Sequence, residues 1–367
     1  MWLIYFLLGT FLFYTFFSIY SSKKHKLLKE RNHSLTVKMN DFFLFNVVTI
    51  TILISSLRLP VSDTLIYNNF FNTISASDQY ILEIYFEPGY QIFNKLISCI
   101  CDNFIFYLFV LNIIIWTFIC IFLKKYSYNV IYSLWLFFLL GYFDQTFNLL
   151  RQYLAISIVL ISYKYVINRK FIKFFLVLLI AISFHSSSIA FIIAYFVYKV
   201  RIRRNTNFWI TYILICIACF YSSNLFFKLM ELTPYAGYLT SSTWGVQEEV
   251  TKIAPILNYS ILLLVILFCF LYGKKQNLLE NSMLTLIIIA SLFTILSFRF
   301  TPIGRVASYF SIFSVVLLAN TIYHISNKKK KYFYYFFFFL LFLSRYLIVS
   351  YFRPDWASVY PYKFYFQ

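Results

Sequence analysis

Acidic residues are scarce: 13 Asp and Glu stand against 32 Lys and Arg in a chain of 367 residues. Charged side chains of either sign make up only 12% of it, while 61% is hydrophobic and the mean hydropathy is +0.75. That excludes a soluble domain and describes a polytopic membrane protein. Glycine and proline occur seven times each, few for transmembrane helices. The six cysteines offer no framework. Cys216-x-x-Cys219 has the spacing of a metal or redox pair but no second pair or histidine beside it, and neither a disulfide nor a metal site is expected. The signatures of nucleotide-using and metal enzymes are missing: no P-loop, no G-x-G-x-x-G, no H-E-x-x-H and no G-x-S-x-G. An enzyme of this composition needs a donor that is already activated and arrives through the membrane. The net charge of +19 fits topology and anionic headgroups better than nucleic acid, which is not expected as a partner.

What the chain does have is apolar runs. Read against charged breaks, they give about twelve spans, at residues 2–20, 42–57, 104–123, 129–143, 149–166, 171–184, 187–200, 207–224, 253–272, 279–298, 303–322 and 332–350. The first has no basic stretch before it and no small-residue cleavage site after it, so a retained helix is expected. The sixth and seventh are short and adjoin, as a re-entrant hairpin would. With the segment after the first span placed in the cytoplasm, 22 of the 32 basic residues but only Glu30, Asp41 and Glu280 fall inside; the outside balances at ten of each sign. The expected fold is therefore an all-α bundle, one integral membrane domain over 1–367, with both termini outside. Two long outer loops, 58–102 and 225–252, are too rich in Tyr, Phe, Leu and Ile for disorder. Short amphipathic helices folded over the outer mouth are expected there.

The basic residues differ in kind across the membrane. Inside, 17 of 22 are Lys; outside, six of ten are Arg, namely Arg58, Arg151, Arg299, Arg305, Arg345 and Arg353. The planar guanidinium suits bidentate binding of phosphate or carboxylate. Arg151, in Leu150-Arg151-Gln152-Tyr153-Leu154-Ala155, lies about one turn inside an apolar helix, where a bare charge costs at least ~2.5 kcal/mol. It either snorkels to headgroups or belongs to an outward-facing anion site. Asp63 and Tyr67 share a helical face just after Arg58, Pro60 and Ser62. Asp63 could be a base, a sugar-hydroxyl acceptor or an acid complementing the helix dipole. Glu87, in Glu87-Pro88-Gly89-Tyr90, could bind sugar hydroxyls, act as a base or cap the helix that follows. Three of the four histidines lie in basic loops; His185, in Phe184-His185-Ser186-Ser187-Ser188, is placed outside, where imidazole chemistry is available at neutral pH. Its serines could equally cap the next helix. Arg299 and Arg305 bracket Thr301-Pro302-Ile303-Gly304, with Tyr309 one turn further on, and form either a diphosphate clamp or two snorkelling cations.

Arg58-x4-Asp63-x3-Tyr67, Glu87-Pro88-Gly89-Tyr90, Leu150 to Ala155, Phe184 to Ser188 and Arg305-x3-Tyr309, together with the span layout, resemble the EpsG family within the Wzy-type O-antigen and exopolysaccharide polymerases. The resemblance covers most of the chain. It implies a C-type glycosyltransferase-like bundle in the bacterial cytoplasmic membrane that needs no cofactor. Its activity would be transfer of a glycan from undecaprenyl diphosphate to a lipid-linked repeat unit on the outer face, in O-antigen, capsule or exopolysaccharide biosynthesis. Arg151, Arg299 and Arg305 would then hold the diphosphate, with Arg58, Gln152, Tyr67 and Tyr309 lining the substrate site. His185, Asp63 or Glu87 would take the acceptor proton. A chain-length regulator and a flippase are the implied protein partners. A flippase or polysaccharide transporter and an outer-face ligase are the competing readings. A transporter needs charge deep in a central cavity, and the mid-span positions here are nearly uncharged.

Overall fold

The computed structural model describes residues 9–10, 12, 32–76, 86–231, 253–274, 277–298, 302–356 and 359–366. Among them there is no strand, and helices account for nearly all regular structure. The expected all-α class holds. Among the described residues six helices are long and apolar enough to cross a membrane: Phe104–Tyr126, Leu150–Ile167, Ile253–Tyr272, Leu278–Leu296, Ile303–Tyr323 and Lys328–Phe352. A seventh is formed if Val130–Leu139 and Tyr142–Asn148, bent by 58°, act as one.

The difference from about twelve has in part a physical source. The runs at 42–57 and 207–224 lie within helices of 25 and 26 residues, Asn32–Ser56 and Thr206–Glu231, while those at 171–184 and 187–200 form shorter ones. Phe171–Phe184, for example, has 14 residues, about 21 Å of helix against a hydrocarbon core of about 30 Å. The run at 2–20 lies almost wholly outside the described residues.

The chain divides into two compact units. The first holds the residues up to Ile161, then 179–186 and 332–367. Its helices are α1 (Asn32–Ser56), α2 (Asp63–Ala76), α3 (Pro88–Ser98), α4 (Phe104–Tyr126), α5 (Val130–Leu139), α6 (Tyr142–Asn148), the start of α7 (Leu150–Ile167) and the end of α8 (Phe171–Phe184). Asparagine side chains begin two of them. Asn103 Oδ1 accepts from Ile105 N (2.8 Å) and Asn129 Oδ1 from Tyr132 N (3.1 Å), each satisfying a donor the helix cannot. Between α5 and α6 the chain turns at Gly141, whose φ of +82° is a conformation a side chain would strain.

α2 and α3 are short helices within 58–102, as expected. They bury Thr64, Tyr67, Phe70, Phe71 and Ile74 on one, and Tyr90, Gln91, Asn94 and Ile97 on the other. These spacings of three and four put each set on one helical face. Of the second long segment, 225–252, the part to Glu231 is helical, and 232–252 lie outside the described residues.

The long helix Lys328–Phe352 contributes its part from Tyr332 onward to this unit and buries only Phe338, Phe342, Tyr346 and Ser350, every fourth residue, with apolar side chains exposed elsewhere. The tail then returns to the end of α1. Leu59 N donates to Lys363 O (2.9 Å), Tyr365 N to Leu57 O (3.0 Å) and Tyr362 Oη to Ile54 O (2.7 Å).

The second unit comprises 162–178 and 187–331. The Ile303–Ser311 and Ser314–Tyr323 helices are largely buried in it. Phe313 stacks on Phe191 (5.9 Å between ring centres) and Phe310 on Phe293 (5.7 Å). Asn277 begins Leu278–Leu296 by accepting from Leu279 N and Glu280 N, and buried Glu280 faces His324 at 3.0 Å.

Candidate functional site

Glu87 is the hub of the first unit. It is the residue before α3, where a carboxylate would ordinarily accept from the first free N–H groups of the helix, yet its side chain makes no such bond. It turns to three other residues instead. Oε2 takes the Arg151 guanidinium in an ion pair, and Oε1 accepts from Ser186 N (3.0 Å) and Ser186 Oγ (3.3 Å). His185 Nδ1 lies 3.2 Å from the same Oε1. An ionised carboxylate only accepts, so Nδ1 carries the proton in this contact, and whenever the ring is neutral its lone pair is on Nε2. Burial opposes charge on Glu87. The hydrogen bond with His185, the positive charge of Arg151 and the Ser186 N–H together outweigh it and hold the carboxyl at about 2, below its ordinary 4.5.

Arg151 enters this site from the first turn of α7, and three aromatic rings surround it. Its guanidinium carbon lies 4.7 Å from the centre of Phe86, 5.6 Å from Tyr67 and 5.7 Å from Tyr90. Ring faces attract a cation that has left water, and the cage holds the fork in one orientation. Tyr90 is fully buried and accepts from Tyr107 Oη (2.8 Å); burial raises its own hydroxyl well above the usual value.

Each residue of Glu87-Pro88-Gly89-Tyr90 thus has a local task. Pro88 opens the helix, where its missing N–H costs nothing. Gly89 lies against the end of α8: a Cβ there would stand 2.2 Å from Ser183 Oγ and 2.8 Å from Ser183 O. That close approach sets the Glu87 turn beside His185, two residues beyond Ser183.

The other expected residues divide as follows. Arg58 is buried, donates from Nη2 to Phe147 O and lies 4.6 Å over the Phe147 ring. Asp63 is half-buried in the first turn of α2, and Tyr67, one turn on, joins the Arg151 cage. Gln152 is buried on α7. Arg305 and Tyr309 belong to the second unit, both on Ile303–Ser311, where Tyr309 Oη accepts from Ser187 Oγ at 3.4 Å. Arg299 lies outside the described residues. Of the expected residues, then, Glu87, Arg151, His185 and Tyr67 meet in one cluster. Among the described residues no group of His, Cys, Asp or Glu is arranged to hold a metal ion.

Four residues of this unit were not singled out from the sequence: Phe86, Asp144, Tyr346 and Tyr360. Phe86 precedes Glu87 and contributes the nearest ring of the cage. Asp144, in the stretch between two apolar runs, is buried and accepts from Tyr346 Oη (3.1 Å) and Tyr360 Oη (3.5 Å). A carboxylate in the short break between two apolar runs was the available signal for Asp144; no local signal marks Phe86, Tyr346 or Tyr360 in so aromatic a chain.

The EpsG family profile matches residues 41–364. No curated protein and no solved structure matches the chain. The profile spans both units and every motif described above, and the chain belongs to the EpsG family.

Proposed function

We propose that the protein is a membrane polysaccharide polymerase that extends a glycan by transfer from undecaprenyl diphosphate to the terminal sugar of a lipid-linked repeat unit. The observation that carries this reading is the contact of Glu87 with both Arg151 and His185 Nδ1. A carboxylate on Nδ1 orients an imidazole and, in the neutral ring, puts the lone pair on Nε2, the atom assigned to take a proton from an acceptor hydroxyl. As the acceptor oxygen forms its bond to the anomeric carbon, the bond to the diphosphate breaks. The electron pair leaves with the phosphate and the proton moves to His185. Glu87 has the orienting role and is too weak a base, at about 2, for the proton transfer itself.

The departing diphosphate needs cationic donors. Arg305, in the first turn of its helix, and Arg299 are the groups assigned to it, and Arg151 adds positive charge beside the base. The same reading takes the chain as a single domain of about twelve spans, C-type glycosyltransferase-like, in the bacterial cytoplasmic membrane. Both ends and the Glu87 site face outward, and a flippase and a chain-length regulator act with it.

The test is a glycan-ladder gel from a deletion strain. Surface glycan capped at one repeat is expected, restored to a ladder by the intact gene. A full ladder without the gene would end the proposal. Unattached full-length polymer would identify a ligase, and precursor retained on the cytoplasmic side a flippase.

A further inference from the structure

A second polar feature of the first unit lies apart from the Glu87 contacts. A pocket of about 360 Å³ opens between the Arg58–Ser62 turn and the returning tail. Arg58, Phe147, Tyr360, Tyr362 and Lys363 are among its walls, and none of the described residues lining it is acidic. Arg58 is only 3% exposed, and its Nε and Nη1 are buried without a hydrogen-bond partner. Among the described residues no carboxylate pairs with it. Its one hydrogen bond, to Phe147 O, uses Nη2. Burial lowers the guanidinium to about 9, the direction expected for a cation taken from water, and it stays protonated at neutral pH. An uncompensated buried charge is costly, and an anion carrying its own acceptors removes that cost.

The geometry points to an anion subsite in this pocket, with Arg58 as the charge partner and exposed Lys363 at the rim. The ligand class is a carboxylate or phosphate monoester on a sugar-sized group. The volume is at the lower end of the ~300–1,000 Å³ of ligand pockets and suits one ring, with Phe147, Tyr360 and Tyr362 as apolar walls. The pocket stands on its own lining; that its occupant is an acidic substituent of the glycan rests on the polymerase reading. A glycerophosphate headgroup of the bilayer presents the same chemistry.

The experiment is thermal unfolding of the full chain in detergent with increasing D-glucuronate, glycerol 1-phosphate or, as the neutral control, D-glucose. Either anion should raise the midpoint and glucose should not; glucuronate identifies a sugar acid and glycerol 1-phosphate a headgroup. Lys363→Gln, at an exposed position, should weaken the response roughly two- to fivefold, the range of an exposed charge. Arg58→Gln should weaken it at least about tenfold, as for a charged hydrogen bond. Should Arg58→Gln not fold, the Lys363→Gln result decides. The assignment is overturned by no shift with either anion, by an equal shift with glucose, or by full responses in both variants. Because the readout is binding, it stands or falls separately from chain elongation.

Discussion

Removing the charge of Glu87 tests the site where its energetics are most concentrated. In Glu87→Gln the amide oxygen still accepts from Ser186 N, but Arg151 loses its carboxylate partner while remaining inside the cage of Phe86, Tyr67 and Tyr90. The carboxyl is held at about 2 in place of 4.5, which corresponds to roughly 3 kcal/mol favouring the ionised, folded form. The sign follows from the direction. A lowered carboxyl stabilises fully above about 4.5, and that contribution is lost as pH falls toward 2. Breaking a buried pair from one side costs about 3–5 kcal/mol. Glu87→Gln is therefore expected to lose about 3 kcal/mol at neutral pH. Arg151→Met, which keeps an apolar stem among the rings, is expected to lose a similar amount. The double variant should lose far less than the sum, with a coupling of about 2–3 kcal/mol. Titration of the four proteins with SDS in mixed micelles measures this cycle. A coupling below about 0.5 kcal/mol would refute the claim that the two charges depend on each other, whatever their distance.

His185→Ala is expected to lower turnover by roughly 10²–10⁴-fold while leaving the affinity for lipid-linked substrate nearly unchanged; single-turnover elongation with purified protein separates the two, and unchanged turnover would pass the base role to Asp63. Elongation rates between pH 5 and 7 should contain no step from Glu87, whose carboxyl titrates near 2. Gly89→Ala should cost about 1–3 kcal/mol and reduce elongation even though it touches no reacting group, because its Cβ meets Ser183, including the backbone oxygen. Ser183→Gly should restore it only in part, since that oxygen remains. Full activity in Gly89→Ala would show that the approach of α3 to α8 does not position the base.

Much of this architecture is legible locally. Apolar runs bounded by Asn103, Asn129 and Asn277 start helices where those side chains accept from free N–H groups. Asp63 and Tyr67 share a face because a helix begins at Asp63. The interest of Glu87 and His185 is also visible, as polar residues in tight turns between apolar segments. Their pairing is not. Ninety-eight positions separate Glu87 from His185, and 64 separate it from Arg151. Helical periodicity reports which face a residue occupies and carries no record of its counter-ion. The sequence thus suggests an anion clamp at Arg151, whose partner in the structure is a protein carboxylate. Arg58, in an aromatic-rich loop, is a buried cation with no carboxylate partner among the described residues. The count of spans is harder still, because hydropathy measures composition while crossing a bilayer also demands length, and the apolar run at 171–184 makes a helix of only 14 residues.

The helix Lys328–Phe352 shows what such a fold asks of evolution. With only Phe338, Phe342, Tyr346 and Ser350 turned inward, most of its surface meets a solvent that does not distinguish phenylalanine from leucine or isoleucine. Those outward positions are free to drift with the base composition of the genome so long as they stay greasy. Tyr346, which holds Asp144, is anchored by a hydrogen bond that no aliphatic replacement supplies. Two chains of this kind could diverge until little similarity remains along the helix and still agree at that one hydroxyl.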